Sequence, residues 1–167
     1  MNGPDATALA RDLLAQEAAC LDERRWDDWL SRYREDCEYW VPMWRDEETL
    51  TADPRRELSH IYYRSRAGLE DRVMRIKTRQ SASSVPLPRT THVHGWVIAD
   101  PPSDADRLHA RAAWSCHVFL PARQQSFCLF GLTRVDFTRD PDGWRIQRRV
   151  VQLNSDYIPT MIDVYCL

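Results

Sequence analysis

Two hydrophobic periods divide the chain. From Ala6 to about Arg24 the apolar positions Leu9, Leu13 and Leu21, with the small Ala18, recur at helical spacing, which predicts an amphipathic helix with Asp5 as its N-cap. Trp26, Trp29, Leu30 and Tyr33 then fall at i, i+3, i+4 and i+7, the stripe of a second, short helix. CEYWVP (37–42) reads as a short strand closed by Pro42, and the polar run 44–56 as a loop. ELSHIYY (57–63) fits either element. Leu69, Val73 and Ile76 place one stripe on a helix from about Ala67 to Thr78, and SASSVPLP (81–88) is a proline-bearing connector.

Beyond the connector the period falls to two. In residues 108–120, Leu108, Ala110, Ala112, Trp114, Cys116, Val118 and Leu120 share one face, while His109, Arg111, Ser115 and His117 take the other. That is a long strand covered on one side. Phe127, Leu129, Val135 and Phe137 repeat the pattern, Asp140-Pro141-Asp142-Gly143 is a turn, and WRIQRRVVQL returns as a last strand. With RTTHVHGWVIA before them, these segments predict a four-strand antiparallel meander over about 89–154. The fold class expected is α+β: a helical part over about 5–80, the meander, and a packing tail over 155–167, all in one domain spanning 1–167. Helices seated in the concavity of a curled sheet would make a cone with a pocket at its open end.

Composition narrows the function classes. Charged residues are 29% and hydrophobic ones 43% of the chain, a soluble balance with no membrane span. The opening MNGPDATALARDLL does not read as a signal peptide, and the five scattered cysteines form no C-x-x-C. The expectation is a cytoplasmic protein with reduced thiols. A net charge of −2 gives no general pull toward nucleic acid. The charge is uneven, however, with twelve acidic against seven basic side chains in 22–57 and seven basic against two acidic in 64–89. Such patches meet solvent, or opposite charge within an assembly. Seven tryptophans serve cores and interfaces alike.

The strongest candidate for chemistry is His92 and His94, two apart on one strand and therefore on one face. A third histidine, His117, would complete a zinc or iron site. If Trp96 and Ile98 mark the inside of that strand, His92 and His94 point inward and His117 outward. If Val93 and Val97 mark it, all three lie outside, without shelter. Neither choice closes a metal site, and no carboxylate partner is evident nearby. Acid–base catalysis by Asp36 or Glu38 beside Tyr33, Tyr39 or a histidine needs a carboxylate or histidine held in an apolar pocket. Ser59 and His60 are adjacent and so face opposite ways. No phosphate-binding glycine loop is present.

DPRRELSHIYYRSRAGLEDRVMRIKTRQSASSVPLPRTTH (53–92) nevertheless resembles a known family, the small (β) subunits of aromatic-ring-hydroxylating dioxygenases. The resemblance is carried by GLEDRVMRIKT and by the serine-led pattern ending in P-x-P-R-T-x-H, started from Ser81 rather than Ser84. LLAQEAACLDERRWDDWL, EYWVPMW and LNSDYIPTMIDVYCL support it, and the branch it is most similar to is the benzoate, toluate and anthranilate type.

The resemblance implies a cone-shaped nuclear-transport-factor-2-like fold. It also implies a non-catalytic subunit, with no catalytic, cofactor or metal residues of its own, assembled as three large and three small subunits with the small ones associating as a trimer. The large partner would hold a Rieske [2Fe–2S] centre and a mononuclear Fe(II), fed from NADH through a reductase, and would cis-dihydroxylate a benzoate-like ring. The absence of C-x-H and C-x-x-H pairs from the sequence agrees with that division. Trp40, Arg72, Arg75, Arg89, His92, Tyr157 and Tyr165 are the expected subunit-interface residues, and the tail with Ile158 and Met161 is expected to pack on the sheet or on a neighbour. The alternative is a free-standing isomerase or dehydratase, or a ligand-binding protein, in the same cone fold.

Overall fold

The computed structural model describes residues 3–80, 85–101, 104–155, 157–159 and 162–167. Ser81 and Ser84 of the connector and Met161 of the tail lie outside the described residues. Helix α1 (Gly3–Asp22) begins ahead of the expected N-cap, so Asp5 sits inside its first turn, where a carboxylate meets the positive end of the helix dipole. Its buried stripe is Ala6, Ala10, Leu14, Ala18 and Leu21, with Leu9 and Leu13 at the margin.

Helix α2 (Trp26–Ser31) is shorter than its apolar spacing suggests. Tyr33, at the i+7 position of that stripe, is the first residue of strand β1 (Tyr33–Pro42). The chain leaves the helix because the Arg32 N–H closes the last turn on Trp29 O, while its carbonyl accepts from Ile146 N at 2.7 Å and so enters the sheet. The ambiguous ELSHIYY segment contains strand β2 (Ser59–Tyr63). Helix α3 (Arg66–Lys77) buries Leu69, Val73 and Ile76 as its spacing predicts. Gly68 lets α3 approach β2, since a Cβ there would stand 2.4 Å from the Tyr63 ring.

Strands β3 (Arg89–Ala99), β4 (Arg107–Leu120), β5 (Gln125–Asp140) and β6 (Gly143–Leu153) form the expected antiparallel meander. Pro141 and Asp142 make the β5–β6 turn, with Gly143 at a φ of +124° that suits glycine. Strand β1, which extends the short strand read at 37–42 back to Tyr33, and β2 join the meander in one six-stranded sheet, in the order β2-β1-β6-β5-β4-β3. β1 lies parallel to β6, with Tyr39 opposite Arg149, and antiparallel to β2. α1 packs against β3 and α3 against β1, so the helices cover one face of a curved sheet. A short 3-10 turn (Val164–Cys166) follows, with Val164, Tyr165, Cys166 and Leu167 all buried. Among the described residues no helix is long and apolar enough to cross a membrane.

Candidate functional site

The orientation of His92 and His94 is decided by a β-bulge. His94 pairs with Trp114 and Val97 with Ala112, so β3 spends one residue more than β4 between the two pairs. Thr90, His92 and His94 point inward before the bulge, and Val97 and Ala99 point inward after it. Val93, Trp96 and Ile98 are left on the outside, each nearly half exposed. Neither uniform alternation holds along this strand. His117 is exposed on the outer face, so the three histidines do not converge. Among the described residues no group of three or more His, Cys, Asp or Glu side chains could hold a metal ion.

His92 does have a carboxylate partner. Asp22, at the end of α1, accepts from His92 N at 2.9 Å and from Thr90 Oγ1 at 3.0 Å, and its Oδ1 lies 2.7 Å from His92 Nδ1. Partial burial would raise the Asp22 pKa, but the His92 bonds outweigh it and hold the carboxyl below its ordinary value. The imidazole is 4% exposed and its Nε2 has no partner. The pair clamps the end of α1 to the start of β3. His94 lies deeper in charge terms: burial, then the nearby Arg149, pushes its pKa down to about 4.

Deeper in the cone, Glu17 of α1 accepts from Trp29 Nε1 at 2.5 Å and from the Tyr33 hydroxyl at 3.0 Å, and it forms a 2.5 Å ion pair with Arg149 of β6. Glu17 and Arg149 are each 1% exposed. Arg149 also donates to the Tyr33 hydroxyl at 3.2 Å and to the Leu167 carbonyl at 3.4 Å, and lies 6.0 Å from the Tyr39 ring centroid. Burial alone would raise the Glu17 pKa; the guanidinium and the indole bond reverse that and keep it an anion. Burial likewise opposes the Arg149 charge, and Glu17 overcomes it. A pair this deep tolerates desolvation only while both members remain.

The C-terminal turn closes the cone. Asp163, 1% exposed, receives both Arg72 Nε, at 2.7 Å, and Arg72 NH2, and caps Val164 N at 2.8 Å. Arg72 thus ties α3 to the turn that buries Tyr165 and Leu167.

The carboxylates expected beside Tyr33 and Tyr39 lie on the other side. Both tyrosines are fully buried, but Asp36 is exposed and paired with Arg34 at 3.0 Å, and Glu38 meets Arg148 on the outer face at 2.7 Å. Successive strand residues face oppositely, so Tyr39 faces in where Glu38 faces out. The interior acids are Glu17, Asp22 and Asp163, none of which stood out as a candidate in the sequence. A signal existed for Glu17 and for its partner Arg149: Glu17 follows Leu14 by three and precedes Leu21 by four, and Arg149 alternates with Val151 and Leu153.

The remaining interface candidates are dispersed. Trp40 is nearly buried and donates to Ser59 Oγ at 2.8 Å. Arg75 is exposed and pairs along its own helix with Asp71 at 3.1 Å. Arg89 lies 5.6 Å over the Phe119 ring, on the outer face. Tyr157 is 76% exposed, whereas Tyr165 is inside and Ile158 packs against the core.

Comparison with known proteins gives this arrangement a context. Residues 16–160 match a family model described as ring hydroxylating beta subunit. The chain is 38% identical to the benzoate 1,2-dioxygenase subunit beta of Acinetobacter baylyi, over 91% of this chain and 88% of that protein. Its backbone superposes on the crystal structure of the benzoate 1,2-dioxygenase beta subunit of Burkholderia mallei with a TM-score of 0.79, at 34% identity and covering 96% of each chain. An NTF2-like protein with a cystatin-like fold from Novosphingobium aromaticivorans aligns at a TM-score of 0.59, covering 90% of this chain and 82% of that one. At 18% identity, this last likeness bears on the fold alone.

Proposed function

Because the chain belongs to the ring hydroxylating beta subunit family, we propose that it is the non-catalytic assembly subunit of a dioxygenase that cis-dihydroxylates a benzoate-like aromatic acid. The observation that carries this reading is the content of the cone. Where an isomerase or dehydratase of this fold would keep a hollow lined by an acid–base pair, this chain packs Trp29, Tyr33, Tyr39 and the Glu17–Arg149 pair, all fully or almost fully buried. The chemistry is assigned to a large subunit carrying a Rieske [2Fe–2S] centre and a mononuclear Fe(II), supplied with electrons from NADH by a reductase. Three large and three small subunits make the assembly, with the small subunits in contact as a trimer. Arg75, Arg89 and Tyr157 are exposed and available for such contacts; Trp40 lines a cleft on the outer face of the sheet, and Arg72, His92 and Tyr165 brace them from within.

The test is a tagged pull-down of this chain from its native cells. A larger partner copurifying near one-to-one, with the visible absorbance of a Rieske cluster, is the expected result; a chain recovered alone and colourless overturns it. One observation favours the enzyme reading: Asp22 and His92 form a carboxylate–imidazole pair with Nε2 aimed inward. That reading requires His92→Gln to abolish turnover by the folded, free-standing chain. The assembly reading expects His92→Gln to weaken folding or assembly while each complex formed keeps its turnover.

A further inference from the structure

The outer face of the sheet carries an uncompensated charge in an apolar setting. Arg111 of β4 and Arg134 of β5 are directly opposite one another, both exposed, and neither has an ion pair among the described residues. Like charges directly opposite across a ladder destabilise it. The neighbouring rung is arranged differently, since His109 meets Asp136 at 2.8 Å and Arg148 meets Glu38 at 2.7 Å. The sequence therefore neutralises one rung of this face and leaves the next positive.

The surroundings are those of an interface. Of the eight exposed large apolar side chains among the described residues, four lie here: Val93, Trp96, Ile98 and Phe130, each 44–47% exposed. Ile98 is the cross-strand neighbour of Arg111, and Val93 and Phe130 flank Ser115 on either side. On the other side of Arg134 a cleft of about 380 Å³ opens between Trp40, Leu50, Leu132 and Val150. An apolar patch continuous with a concave slot is the form of a docking surface with an anchor site.

We propose that this face, from Trp96 and Phe130 across Arg111 and Arg134 to the Trp40 cleft, docks a surface of the large subunit that presents a carboxylate ringed by apolar side chains. The proposal rests on the reading of this chain as an assembly subunit and adds which surface serves it and what charge the partner brings. Charge complementarity selects the occupant. A second copy meeting this face with the same face would bring four guanidinium groups together, and Arg111 and Arg134 find no ion-pair partner on their own sheet among the described residues, whereas a large-subunit carboxylate would receive two donors from adjacent strands.

Arg111→Glu tests this, because it separates stability from assembly. The new glutamate would face Arg134 and form a cross-strand ion pair, so the lone chain should melt at the same temperature or higher. The pair would also consume the charge meant for the partner, so capture of the co-expressed large subunit should fall by about tenfold or more, with a weaker dependence on salt. Trp96→Ala, which trims the rim without touching charge, should also reduce capture and leave melting unchanged. Equal capture by the wild-type and Arg111→Glu chains overturns the surface while leaving the subunit reading intact. Loss of self-association in the lone Arg111→Glu chain with undiminished capture reassigns the face to a second copy and overturns the choice of partner. A wild-type chain that captures no large subunit overturns the subunit reading and this inference together.

Discussion

His94 and Val97 face the same interior although three positions separate them on one strand. The bulge between them turns Trp96 outward and keeps both His94 and Ala99 inside, so a single extra residue supplies the cone with a buried imidazole and the outer face with an indole.

That imidazole gives the stability a defined pH dependence. The His94 pKa is about 4 in the folded chain against an ordinary 6.5, so between those values the unfolded chain binds the proton and the folded one does not. Stability should therefore fall as the pH drops from about 6.5 to about 4, by about 3 kcal/mol in all from this residue. His60, lowered by burial in the same direction, adds to the slope, whereas Glu17 and Asp22, lowered carboxylates, contribute only at lower pH. Urea midpoints measured at pH 7 and pH 5 should differ less in His94→Leu than in the wild type; an unchanged difference would place the imidazole in water.

The Glu17–Arg149 pair predicts non-additive substitutions. Arg149→Leu leaves a carboxylate at 1% exposure with no cation, and should cost about 3–5 kcal/mol. Glu17→Gln keeps acceptors for Trp29 and Tyr33, and added to Arg149→Leu it should recover part of that loss. Denaturant unfolding of the two single variants and the double variant checks this, and strict additivity would mean the two residues do not act as a pair.

Gly131 marks a point where the backbone of β5 has no room for a side chain. A Cβ there would stand 2.0 Å from the Gln152 carbonyl, inside the β5–β6 ladder, so Gly131→Ala should destabilise by about 1–3 kcal/mol. At Gly95 the same atom would make an ordinary 3.6 Å contact with Ala113, and Gly95→Ala should change stability by about 0.5 kcal/mol or less. Thermal melts of the two variants side by side provide the comparison.

The parts of this structure legible in the sequence are those set by local periodicity. The Leu69, Val73 and Ile76 stripe of α3, the alternation of β4 and the Asp140–Gly143 turn depend on neighbours within a few residues, and they stand as read. The overestimated second helix shows the limit of the same signal: Tyr33 keeps helical spacing from Trp26, but a hydrogen bond to Ile146 draws the chain into the sheet. The direction of His92 was not legible, because a bulge breaks the alternation on which any inside–outside reading depends. Asp22 and Glu17 look like ordinary polar positions of an amphipathic helix until β3 and β6 supply their partners. The family is legible because the run that carries its resemblance, 53–92, is contiguous in sequence across β2, α3 and the start of β3.

The placement of β1 beside β6 has a consequence for how the chain comes to fold. Tyr39 belongs to the first strand made, and its neighbour Arg149 to the last, so the two meet only on the order of a hundred residues of synthesis later. Until then Glu17 has no cation, and β1 and β2 have no sheet to join. A nascent chain stalled in β5 can assemble most of the meander, but it holds an acid in its core with nothing to neutralise it. Synthesis must run past Arg149 before α1 is in its final surroundings.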